Sequence, residues 1–197
     1  GHIVYKPRSL KIDCLFSDLF HYYFGAPKLR FLSQGNYGWM DYIHGDVTPV
    51  SECKWGWAIC LLTLLRSTDH HVENVITNNG WPFFIDMECS LAPEMAYFPR
   101  TSNLFSPSAI RLSLSGYDLK KVSLAFLEAL DRVKADIDPL LLALENVKNE
   151  KMRVLLRQTS FYSELLAFSQ TSEFAHNSDT KLIRLIDILC SISPDYP

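Results

Sequence analysis

The stretch from Ser67 to Glu88 leaves a chain of this kind few ways to fold. A β-forming run, Val75-Ile76-Thr77, meets a second, Trp81-Pro82-Phe83-Phe84-Ile85, across Asn78-Asn79-Gly80. Asn and Gly at such a junction supply the positive-φ conformations that a short hairpin turn needs, so strand, tight turn and strand are predicted in that order. Ahead of the first strand lies a polar loop with Asp69, His71, Glu73 and Asn74 within six residues. The second strand delivers Asp86 and Glu88 at its far end.

Acids and an amide gathered around one hairpin have a chemical use. Phosphoryl transfer needs an acid to orient or deprotonate the attacking hydroxyl, and two oxygen ligands to hold Mg²⁺ against the nucleotide phosphates. Asp69 and Asn74 stand five residues apart, the spacing of the catalytic-loop Asp and the Asn metal ligand in protein kinases. Asp86 follows after a hairpin, where the second metal-binding Asp is expected. A bare D-x-x-x-x-N is common by chance, and the coupled hairpin and second Asp make it informative. Singly, each residue has a plainer reading. His70 and His71 can hydrogen-bond within a loop, Glu73 can cap or pair with Arg66, and Asp86 and Glu88 can form a solvated strand end. A zinc site from His70, His71 and Asp86 is disfavoured, because adjacent histidines on a loop project in different directions.

The flanking segments fall in a consistent order. His2 to Lys6 alternates as a short strand closed by Lys6-Pro7-Arg8, and is similar to the kinase strand whose Lys reaches the nucleotide phosphates. Leu10 to Phe24 is predicted helical, ending at Gly25-Ala26-Pro27. It holds two acids, Asp13 and Asp18, either of which could meet Lys6 as a kinase helix Glu does, or neither. Tyr37 to Ile43 reads as a strand leading to a hinge, its aromatics expected in the core rather than as an adenine platform. Trp55 to Arg66 is a strongly apolar helix with a basic end that delivers the chain to Asp69. Leu91 to Ser115, with Pro93, Pro99 and Pro107, reads as a loop or linker. It divides a core over 1–115 from a helical segment over 116–197. Helices are expected at about Leu119–Ile137, Pro139–Val147, Glu150–Phe168 and Leu182–Ile192, the third with an apolar face of period 3.6.

Composition narrows the classes. With 197 residues, 48% of them hydrophobic, the chain can bury a sizeable core in one or two compact domains. A net charge of −3 gives no electrostatic case for nucleic acid. The longest apolar run is too short to span a bilayer, and no signal peptide is visible. The five cysteines are scattered without a C-x-x-C pair, which suits reduced thiols and a cytoplasmic location rather than a disulfide frame or a zinc site.

Together the motifs resemble one family, the dehydratase domain of class II (LanM-type) lanthipeptide synthetases. The matching pieces are Val4-Tyr5-Lys6-Pro7-Arg8-Ser9-Leu10; Tyr37-Gly38-Trp39 with Asp41; Asp69-His70-His71-Val72-Glu73-Asn74-Val75-Ile76; Ile85-Asp86-Met87-Glu88; and Met152-Arg153-Val154-Leu155-Leu156-Arg157-Gln158-Thr159 with Tyr162. The resemblance implies an α+β fold, a partial protein/lipid-kinase-like core followed by an all-helical segment. It implies ATP- and Mg²⁺-dependent phosphorylation of Ser and Thr in a leader-bearing precursor peptide. Phosphate elimination to dehydroamino acids follows, with a cyclase domain or protein as a further partner. On this resemblance Lys6 contacts ATP phosphates, and Asp69 with His71 orients and activates the substrate hydroxyl. Asn74 and Asp86 hold Mg²⁺, while Arg153 and Thr159 serve the elimination. Lys6 stands too near the start of the sequence for two strands and a Gly-rich phosphate cover to precede it, so a fragment or a reduced relative is expected.

Two other functions stay open. A non-catalytic remnant or peptide-binding module would keep the fold without turning over. A plain small-molecule or lipid kinase would have no use for the Arg153 and Thr159 block.

Overall fold

The computed structural model describes residues 2–67, 70, 72–91, 114 and 116–150. All of these belong to one compact unit drawn from residues 1–92 and 101–153, and the second unit, 93–100 and 154–197, lies outside the described residues. The fold is α+β, with four α-helices and two small antiparallel sheets among the described residues, helices closing the sequence order.

The first strand, β1 (Ile3–Lys6), pairs with β3 (Gly38–Asp41), which also pairs with β2 (Phe31–Ser33), giving the antiparallel order β1-β3-β2. Between β1 and β2 runs helix α1 (Lys11–Phe24). It buries Ile12, Leu15, Phe16, Leu19, Phe20, Tyr23 and Phe24, a stripe of helical period that faces the core. Helix α2 (Glu52–Leu64) comes next, then a one-turn 3₁₀ helix (Val72–Asn74) and the hairpin of β4 (Val75–Asn78) and β5 (Trp81–Phe84). Asn79 (φ 49°) and Gly80 (φ 69°) form the turn, both in the left-handed region, as Asn-Gly requires for a two-residue hairpin connection. Helices α3 (Leu119–Ala135) and α4 (Asp138–Val147) follow, α4 with Pro139 in its first turn.

Two apolar clusters hold these elements. The larger joins α1, α2, α3 and α4 around Phe16, Phe20, Trp55, Leu61, Leu62 and Val133, with Phe84 of the hairpin set edge-on to Phe16. Each such side chain contributes about 1.5–3 kcal/mol when fully buried. The smaller cluster, Leu10, Met40, Ile43 and Phe83 with Val4, Ile76 and Ile85 against it, cements the three-stranded sheet to the hairpin. The connection between α3 and α4 is tied back to α1: the Tyr23 hydroxyl donates to the Asp136 carbonyl at 2.7 Å and Arg132 donates to the Tyr23 carbonyl at 2.8 Å.

The structure departs from the sequence reading in two places. Helix α2 begins at Glu52 rather than Trp55, because the Ser51 hydroxyl caps it by accepting from Lys54 N, and it stops at Leu64. Arg66 therefore lies beyond the helix, at φ 48°, and does not serve as its basic last turn. The aromatics of β3 are not in the core. Strand alternation buries Met40 and turns Trp39 outward, where it meets the exposed Tyr5 and Tyr37 in a cluster of rings 5.4–6.2 Å apart.

No helix among the described residues is long and apolar enough to cross a membrane.

Candidate functional site

Of the seven residues singled out in the sequence, Lys6, Asn74 and Asp86 are described here; Asp69, His71, Arg153 and Thr159 lie outside the described residues. Lys6 ends β1 on the same face as Val4, the face that packs against the hairpin, and is half-buried there. Asn74 ends the 3₁₀ turn, and its carbonyl accepts from Ile85 N at 3.1 Å, extending the β4–β5 ladder by one step. Asn74 and Asp86 therefore stand at the same open end of the hairpin.

What ties that end to β1 is Arg8, two residues after Lys6 and so at most about 7 Å from it along the backbone. Its guanidinium is bidentate on Asp13 of α1, at 2.6 and 2.9 Å. The same Nη2 also donates to Asp86 Oδ1 at 2.7 Å, and Nε lies 3.5 Å from Glu88 Oε2. One cation thus bridges β1's exit, α1 and the end of β5. Asp13 is only 2% exposed, which makes it a buried acid on an otherwise apolar helix face.

The electrostatics follow from that burial. Burial pushes the Asp13 carboxyl up from its ordinary value, and the hydrogen bonds from Arg8 and Met87 N pull it back down. Both Asp13 oxygens accept from the guanidinium, an arrangement only the carboxylate form satisfies. Burial opposes the charge on Arg8, yet Asp13, Asp86 and Glu88 together raise its pKa above the ordinary value. One guanidinium faces three carboxylates here. Asp86 is bound by Arg8 through Oδ1 alone, so Oδ2 has no partner among the described residues.

These groups suit a small hard cation. Mg²⁺ is ordinarily held by one or two protein oxygens plus substrate phosphates rather than by a full protein cage. Asp86 Oδ2 is an oxygen of that kind, and Asn74 stands at the same end of the hairpin. Among the described residues no group of three or more His, Cys, Asp or Glu is arranged to hold a metal alone.

Neither acid of α1 pairs with Lys6: Asp13 goes to Arg8, and Asp18 binds Lys28 at 2.8 Å. Lys6 makes no ion pair among the described residues. The Arg8–Asp13 clamp escaped the sequence reading. The available signal was an acid set among Ile12, Leu15 and Phe16 on an apolar stripe, five residues after an Arg. His70 takes a structural role. It is fully buried, its Nε2 lies 2.7 Å from Ser67 Oγ, and Ser67 Oγ lies 2.6 Å from Ser90 Oγ. The ring stands edge-on to Phe84 with centroids 5.2 Å apart. With Leu91 N donating to the Leu65 carbonyl at 2.7 Å, these contacts close the base of the whole loop-and-hairpin excursion.

The α+β core belongs to a family recognisable by sequence. Residues 1–116 match the family described as a domain of unknown function, DUF4135, and the chain is a member of it. No curated protein matches the chain.

Proposed function

We propose that this chain is the phosphotransferase part of a lanthipeptide dehydratase, using ATP and Mg²⁺ to phosphorylate Ser and Thr of a precursor peptide before phosphate is eliminated. The observation that supports the reading is that Asn74 and Asp86 stand at the same end of the hairpin, with Arg8, two residues after Lys6, bound to Asp86. The family it belongs to is associated with lanthipeptide synthetase-like proteins. The strand, helix, two strands, helix, loop and hairpin also succeed one another in the order that a kinase-like core needs.

On this reading each residue has one task. The Lys6 ammonium binds and orients nucleotide phosphates as a point charge. Asn74 and Asp86 hold Mg²⁺, which when bound neutralises charge on the phosphates. Asp69, with His71, orients the substrate hydroxyl and takes its proton. Arg153 and Thr159 assist departure of phosphate from the phosphorylated peptide, a step favoured by a cation near the leaving group. The peptide and any cyclase that acts after it are partners of this site.

The test is mass spectrometry of a Ser/Thr-rich precursor peptide co-expressed with the full chain. Gain of phosphate or loss of water supports the reading. Asp86→Asn should lower the modified fraction at least about 100-fold, since a metal-ligating carboxylate is removed. An unmodified peptide beside a well-folded chain overturns it.

A second reading is favoured by a different observation. The outer face of the first sheet exposes Ile3, Tyr5 and Leu32 beside Trp39. That face suits a non-catalytic module that docks a peptide, which would bind the precursor with no need of nucleotide.

A further inference from the structure

We infer that Arg8 is a positioning residue that fixes how Asp86 can ligate a cation, and so makes the site select Mg²⁺ over Ca²⁺. The inference rests on the phosphotransfer reading and adds to it a cation preference with a named cause. Nη2 of Arg8 donates to Asp86 Oδ1 at 2.7 Å and sets a positive charge beside it, so Oδ2, with no partner among the described residues, is the better ligand. Arg8 is held in place by Nη1 on Asp13 and the Ser9 carbonyl and by Nη2 on Asp13, which is buried and itself accepts from Met87 N at 3.4 Å. The carboxylate is thus presented to a cation by one oxygen.

That restriction acts differently on the two ions. Mg²⁺ takes octahedral coordination from single oxygens at about 2.1 Å, whereas Ca²⁺ takes six to eight ligands and readily accepts both oxygens of one carboxylate. Holding Oδ1 removes a ligand that only Ca²⁺ would use. The guanidinium does not repel the cation outright, since Asp13 and Glu88 offset its charge. Partners of a metal-binding side chain generally change affinity about 10–100-fold when they are removed.

The experiment compares cation binding in the presence of a non-hydrolysable ATP analogue, titrating Mg²⁺ and Ca²⁺ separately into the full chain by calorimetry. Removing Arg8 alone would strand the buried Asp13 charge. The variants are therefore Arg8→Lys, which keeps a cation beside Asp13, and the neutral pair Arg8→Gln with Asp13→Asn. Lysine cannot reproduce the forked contact to two carboxylates. The Mg²⁺/Ca²⁺ affinity ratio should fall about tenfold in both variants. An unchanged ratio in a folded variant overturns the role of Arg8 while leaving the phosphotransfer reading intact. If the unmutated chain binds neither cation with the analogue, the phosphotransfer reading fails, and this inference with it. The unmutated chain also gives a readout that needs no variant. Its Ca²⁺ infrared difference spectrum should carry the widely split carboxylate stretches of single-oxygen ligation, and a narrowly split pair overturns the inference.

Discussion

Asp46, a carboxylate at the surface, holds the tip of the β4–β5 hairpin in place. It accepts from Asn79 N at 2.8 Å and from Thr48 N at 2.9 Å, and the backbones of Asp46 and Thr77 are hydrogen-bonded at 2.8 Å. The bonds to Asn79 and Thr48 hold its pKa below the ordinary carboxylate value. A group depressed in the folded state favours folding above its unfolded pKa and loses that contribution as pH falls through the folded one. Denaturant titrations from pH 5 to pH 2.5 should therefore show a loss of stability that Asp46→Asn partly removes. An identical acid limb in the variant would refute that role. Residues like this are hard to read from sequence, because the partners lie 33 positions apart and carry no motif. The place of Asn74 and Asp86 at one end of the hairpin was readable, because the Asn-Gly turn fixes the strand pairing on either side of it. Arg8 was not, because its two roles join Asp13 five residues on to Asp86 in a distant segment.

At the scale of elements, the contact between α2 and α3 depends on Gly56. A Cβ there would come 2.6 Å from Ala125 Cβ and the Val122 carbonyl, and 2.8 Å from Phe126 N. The facing stripe of α3 is Val122, Ala125, Ala129 and Val133, small residues at helical spacing that let the two helices close up. Gly56→Ala gains about 1 kcal/mol of helix propensity. It meets backbone atoms that cannot move aside, and overpacking of that kind costs about 1–3 kcal/mol. The expected result is a lower urea midpoint with an unchanged m-value, a net loss of about 1 kcal/mol. A midpoint that rises would show that the helices part freely. The helices themselves were readable in the sequence, since apolar periodicity and Pro139 mark them. The start of α2 was not, because its cap is a single serine four residues ahead of Trp55. The outward aromatics of β3 were misplaced for a related reason. Composition says core, and only the pairing register says which face a residue takes.

For the molecule as a whole, the exit of β1 and the first turn of α1, neighbours in sequence, meet the distant end of the hairpin. The element order was readable, because each element carries its own local signal. Their convergence was not, because it rests on ion pairs and on the small cluster around Leu10 and Phe83. The clasp formed by Leu65 with Leu91, and by Ser67 with Ser90 and His70, has a dynamic consequence. An excursion closed at its neck opens as one body, so its amides should share a single protection factor rather than fray strand by strand. Native-state deuterium uptake should show Leu91 and the cross-paired amides of Ile76 and Phe83 exchanging with a common denaturant dependence, and Ser67→Ala should speed all of them together. Independent rates for the neck and the hairpin would mean that the excursion breathes in pieces.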